Sequence, residues 1–117
     1  MDDIKLVVGA LKDATSLQGV PISTEIPPTR PRRYIAVALT GDMSDMLIHR
    51  PLVMLTVWGE SDADAHGLAV TAFHALADAA QDHDLLSHVA LESMSRDEWT
   101  ATGQARYIVQ LDLTINT

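Results

Sequence analysis

The sequence predicts an α+β domain. Two helices pack on one face of a mixed, mainly antiparallel sheet, in the order α-β-β-β-α-β-β. Three observations carry this expectation. Two stretches show apolar residues at helical spacing, near the start and in the middle of the chain. Two others, 33–40 and 106–115, alternate apolar and polar residues in the manner of strands. Between them Leu52 to Trp58 is apolar at nearly every position, as a central strand is. At 117 residues the chain suits one domain, 1–117, long enough to bury a core.

The first helix follows from Asp2 or Asp3 as N-cap and Ile4, Val7, Val8 and Leu11 at i, i+3, i+4 and i+7. Gly19 ends that region and Pro21 prevents its continuation. A short strand is expected over 20–26, then a proline-rich basic arm over 27–33. A second strand covers 33–40, with Ile35, Val37 and Leu39 on one face and Tyr34, Ala36, Ala38 and Thr40 on the other. Residues 41–50 form a connection long for a hairpin and polar at its tip, expected to be flexible.

Pro51 opens the third strand, a position that tolerates proline. Ser61 N-caps the second helix, with Asp64 as a shorter stand-in for the glutamate of a capping box. Ala65, Leu68, Ala69, Ala72, Leu76 and Ala79 form its narrow buried stripe. Thr71, His74, Asp78 and Gln81 lie opposite. Asp82-His83-Asp84 marks its exit. A strand near 88–94 follows, then a loop over 95–105 and a last strand over 106–115. One helix layer over an apolar central strand leaves the other sheet face short of cover, and that face needs a partner.

Composition excludes several classes. Without cysteine there is no disulfide, thiolate nucleophile or thiolate metal site. No apolar run approaches the roughly 20 residues of a membrane span. The acidic start lacks the basic character of a signal peptide, so a cytoplasmic site of synthesis and assembly is expected. His66 and His74 lie eight positions apart on the second helix, too far for one ion, and the neighbours in Asp82-His83-Asp84 point in different directions. No metal or other cofactor is expected. No Gly-x-Ser-x-Gly elbow and no glycine-rich phosphate loop is present, so no enzyme activity is expected. Trp58 reads as core or strand-end packing. Trp99, in a polar context, reads as an exposed interface anchor.

Charge points to a partner instead. Residues 1–55 balance six acids with six bases, whereas 56–105 hold nine acids against Arg96 alone, a balance of −8. Arg30, Arg32 and Arg33, on a strip stiffened by Pro27, Pro28 and Pro31, are three of the eight bases. They make a weak nucleic-acid footprint on so acidic a chain. The acidic half of a second copy is a better target, and a head-to-tail contact of that kind closes into a ring when the rotation permits. Arg50 and Asp42, flanking the 41–50 connection, join Arg30, Arg32, Arg33 and Trp99 as candidate interface residues. Asp78, Asp82 and Asp84 belong to the acidic half, which reads as a solvated, solubilising face or as a surface that faces nucleic acid without gripping it.

Residues 28–37 (Pro28-Thr29-Arg30-Pro31-Arg32-Arg33-Tyr34-Ile35-Ala36-Val37), the Gly41 loop, Arg50-Pro51-Leu52-Val53 and Val57-Trp58-Gly59-Glu60-Ser61 form an ordered pattern. The Ala65/Leu68/Ala69 helix and Ala105-Arg106-Tyr107-Ile108-Val109 complete it. In order and spacing, over nearly the whole chain, this resembles the tail terminator, or tail completion, proteins of long-tailed bacteriophages, particularly those of actinobacterial hosts. No single motif is diagnostic, and His74 stands where such proteins often carry a basic residue. The resemblance implies a virion protein assembled in the host cytoplasm. It implies a hexameric ring on the head-proximal end of the tail, with the tail tube protein and the head–tail connector as partners. Two other readings stay open: a different head–tail neck or joining protein, and a small-ligand-binding α+β domain. The chain's five aromatic residues and its lack of convergent polar groups disfavour the second.

Overall fold

A computed structural model describes residues 3–25, 33–45, 48–82, 86–98 and 105–115. Helix α1 (Asp3–Asp13) is followed by a 3-10 turn (Thr15–Leu17) and strand β1 (Ile22–Ser23). Strands β2 (Tyr34–Asp42) and β3 (Pro51–Gly59), helix α2 (Asp62–Asp82) and strands β4 (Leu86–Glu98) and β5 (Ala105–Ile115) complete the chain. The strands form one sheet in the order β1-β2-β3-β5-β4. Only β1 and β2 pair in parallel; β2–β3, β3–β5 and β4–β5 are antiparallel. The expected class and element order are observed.

Both helices lie on one face. Val7 and Leu11 of α1, and Leu68, Ala69, Ala72, Ala75 and Leu76 of α2, share a core with Ile35, Val37, Val53, Leu55, Val57, Val109, Leu111, Leu113 and Ile115. These strand residues are alternate positions, as the pleat requires. Alanines in the α2 stripe bring the helix axis close to the sheet. Ser61 caps α2 as expected, its Oγ accepting the Asp64 N–H at 3.1 Å, while Asp64 Oδ2 accepts from the Glu60 N–H at 2.9 Å. The reciprocal half of the box thus reaches one residue further back than a glutamate box does. At the α1 exit, Leu17 is buried and Gly19 takes φ +85°, a conformation open to glycine.

Boundaries differ in three places. The first strand shrinks from 20–26 to Ile22–Ser23, with Ile26 outside the described residues. Strand β2 runs through Gly41 and Asp42, past a bulge between Leu39 and Gly41. The loop expected from Ser95 is wrong in its first four residues, because β4 continues to Glu98. Polar Ser95, Arg96 and Asp97 read as loop, but β4 is an edge strand and solvated side chains are usual there. A bulge between Leu91 and Ser93 also breaks its alternation. The β3 and β4 strands flanking α2 are not neighbours, since β5 lies between them.

Candidate functional site

The sheet face away from the helices has two ends of different character. At one end Tyr34 and Trp58 pack edge to face, ring centroids 6.0 Å apart, and the Arg106 guanidinium lies 6.0 Å from the Trp58 ring. Trp58 is fully buried, as expected of strand-end packing, and the Tyr34 hydroxyl donates to the Glu25 carbonyl at 2.8 Å. Asp97, opposite Arg106 across β4 and β5, pairs with its guanidinium. Toward the other end, Ala38, Leu52, Met54, Ile108 and Ala90 remain half-buried, a strip with no helix over it, and half-buried Gln110 lies among them, opposite Met54. Asp112 lies in this strip's last register and is buried. Its Oδ2 accepts from Arg50 Nη2 at 2.5 Å.

Beyond the sheet, β2 and β3 continue as a narrow arm. The Met43 N–H donates to the Arg50 carbonyl at 2.8 Å, and the Asp45 N–H to the Ile48 carbonyl at 2.9 Å. Ser44 is the hub of the arm. Its N–H donates to Asp42 Oδ1 at 2.8 Å, its hydroxyl donates to the same oxygen, and its Oγ accepts the Arg50 N–H at 2.7 Å. His49 Nδ1 lies 2.9 Å from Ser44 Oγ. The two donors from Ser44 hold the Asp42 carboxyl below its usual range. At the base, the Ile115 N–H donates to the His49 carbonyl, tying the arm to the end of β5.

Asp42, Ser44 and His49 are the residue types of a hydrolytic triad, but their order defeats that chemistry. A serine nucleophile gives its proton to an imidazole that a carboxylate orients. Here the hydroxyl proton goes to Asp42 and the serine sits between the other two. The cluster fastens a turn. Among the described residues, no three His, Asp or Glu side chains come together to hold a metal ion, and no helix is long and apolar enough to cross a membrane.

The expected site residues do not converge. Arg33 reaches across to α2, its Nε 3.3 Å from Asp64 Oδ2, and Arg96, on edge strand β4, lies 2.9 Å from Asp62 Oδ2. The first-turn carboxylates of α2 therefore answer two arginines as well as the helix dipole. Arg33, Arg50, Arg96 and Arg106 each have a carboxylate of their own chain. One of these pairs, Arg33–Asp64, joins the charge-balanced first half to the acidic stretch 56–105 within one subunit. Asp78 is exposed, beside a shallow cleft of about 290 Å³ lined by Ala10, Asp13, Ala14, Ala75 and Ala79 between the helices. Arg30, Arg32, Asp84 and Trp99 lie outside the described residues, as does the side chain of Asp82. The residues that reading by sequence passed over are Ser44, His49 and Asp112. Asp112 follows Ile108 and Gln110 on an alternating, polar-looking face, so nothing local marks its burial.

No protein-family model matches the chain, and no curated protein does. Among solved structures, it is similar to a chain in the virion of a native gene transfer agent particle. The TM-score is 0.69 at 15% identity, over 95% of this chain and 92% of that one. At that identity the likeness is one of fold. It runs end to end through both chains.

Proposed function

We propose that this chain is a structural protein of a tailed phage or phage-like virion. Its role is that of the tail terminator, which caps the tail tube as a ring, stops tube polymerisation and joins the tail to the head connector. The observation that carries this reading is the end-to-end likeness in fold to a chain of a gene transfer agent virion. The ordered resemblance along the sequence to tail terminators narrows it to the cap. The half-open sheet face, where Ala38, Leu52, Met54, Ile108 and Ala90 surround Gln110, agrees with it, because a half-buried face of mainly apolar residues is suited to burial against another protein.

The mechanism is one of contacts, without a reaction. Copies join in a ring, a hexamer in the family resembled, through Arg30, Arg32, Arg33 and Trp99 on one side and acids of the neighbour on the other. Asp78, Asp82 and Asp84 face the bore, where carboxylates repel passing DNA and leave it free to slide. The particle's neck is the site of action.

Deletion of the gene from its particle tests the assignment by electron microscopy. Overlong, headless tails are the expected outcome, since a tube without its cap keeps growing. Headless tails of normal length would instead assign the chain to a joining protein of the neck. Virions carrying Asp78→Lys and Asp82→Lys should eject DNA more slowly, and unchanged ejection would remove these two residues from the bore.

A further inference from the structure

The sheet has two open edges. Strand β4, thirteen residues long, is bordered on one side only, by β5. At the other edge β1 covers β2 at Ile35 and Ala36 alone, and among the described residues no strand pairs with the outer side of 37–42. The Ile35 N–H donates outward to the Pro21 carbonyl at 3.0 Å, so by the alternation of a strand the N–H and C=O of Val37 also face outward. An uncovered edge is a template for another strand, and proteins commonly keep it polar. Each of these edges instead carries an exposed leucine, Leu39 at 48% and Leu91 at 43%. Both belong to the helix-bearing face, since Leu39 lies opposite Val53 and Leu91 opposite Leu111, two core residues.

We propose that the two edges join between copies of this chain. The outer side of β4 in one copy pairs antiparallel with β2 of the next, and Leu91 of the first packs beside Leu39 of the second. Strand polarity argues for this occupant. Every step from β2 through β3 and β5 to β4 is antiparallel, so β4 runs against β2. A second copy laid edge to edge in the same orientation offers β4 an antiparallel partner and keeps the helices of both copies on one face. The two leucines are then covered together. Each ladder is broken by a bulge beside its leucine. Bulges bend an edge and guard it against indiscriminate pairing. When Leu39 meets Leu91 the two bends fall at one level, so this chain's own edge fits better than a regular strand. The joint uses two different edges, so it repeats from copy to copy and closes into a ring when the rotation permits. The inference deepens the ring proposed above and rests on it for closure alone.

The chain has no cysteine, so a disulfide can be placed across the joint. Leu39→Cys, Leu91→Cys and the double variant are oxidised mildly at high protein concentration and run on non-reducing gels, with circular dichroism to confirm the fold. Within one subunit the two edges are three strand spacings apart, about 14 Å, and a disulfide spans no more than roughly 7 Å between Cα atoms. Any disulfide therefore joins two copies. Expected are a reducible ladder holding most of the double variant, dimers from an equal mixture of the two single variants, and neither from one single variant alone. The yield should not fall as salt is raised, because copies of net charge −8 repel and salt screens the repulsion. Dimers from Leu91→Cys alone would mean that two β4 edges meet and would overturn the proposal, as would a double variant that stays monomeric. A ladder that ends at one size supports closure; one that runs on supports the pairing and removes the ring. Failure of the terminator reading is seen separately, in the length of tails made without the gene.

Discussion

Arg50 and Asp112 are 62 positions apart in sequence and in direct contact in the fold. Asp112 is nearly buried on the open sheet face, whereas Arg50 keeps more than a third of its side chain in solvent. Removing the arginine leaves a carboxylate in a site with little water. Arg50→Ala should therefore cost about 2 kcal/mol in urea unfolding, between the exposed and fully buried limits for ion pairs. Arg33→Ala breaks a pair that is more exposed on the acid side and should cost less than about 1 kcal/mol. Equal losses for the two would mean that the burial of Asp112 has no energetic weight.

Among the elements, the junction of β3 and α2 is the least tolerant. A Cβ added at Gly59 would lie 2.4 Å from the backbone nitrogen of Ala65 and 2.7 Å from its Cα, so α2 would have to move off the sheet. Gly59→Ala should destabilise by about 3 kcal/mol. Gly67, an exposed position inside α2, has nothing within 4 Å of an added Cβ. Gly67→Ala should stabilise by about 0.5–1 kcal/mol through helix propensity. Thermal denaturation of the two variants checks the contrast.

The β2–β3 arm carries its own pH dependence. The folded pKa of Asp42 lies below its ordinary value of 3.8, so its contribution to the turn is complete above 3.8 and is lost as pH falls through the lower folded value. Amide exchange at Ser44 should quicken in that acid window, relative to amides of β3, and Ser44→Ala should bring the same loosening at neutral pH. The element scale is also where local reading succeeded and failed. Ser61 and Asp64 announced the start of α2 because a cap is a contact over three residues. The far half of β4 gave no such notice. Its bulge breaks the period, and its polar residues are strand residues only because β5 lies alongside.

For the whole molecule, extents of 44 × 27 × 22 Å describe an elongated plate with helices on one face and an uncovered strip on the other. Replacing Arg30, Arg32 and Arg33 together with Glu should abolish ring assembly while the fold persists, as read by light scattering beside circular dichroism. The fold should survive because the Arg33–Asp64 pair is a partly exposed one. Of the candidate interface, the charge split was legible from composition. That four arginines satisfy acids of their own chain was not, since a count of charges says nothing about which ones meet.

By itself the sequence determined the class, the order of elements, the buried faces of both helices and the burial of Trp58. Each of these follows from short-range periodicity, caps and turn residues. Only the tertiary structure decided the position of β5 between β3 and β4, the parallel pairing of β1, the contact of Arg50 with buried Asp112 and the tie between His49 and Ile115. Those depend on contacts between residues far apart in the chain. Such contacts form once the hydrophobic faces have chosen their partners, and no local pattern records that choice.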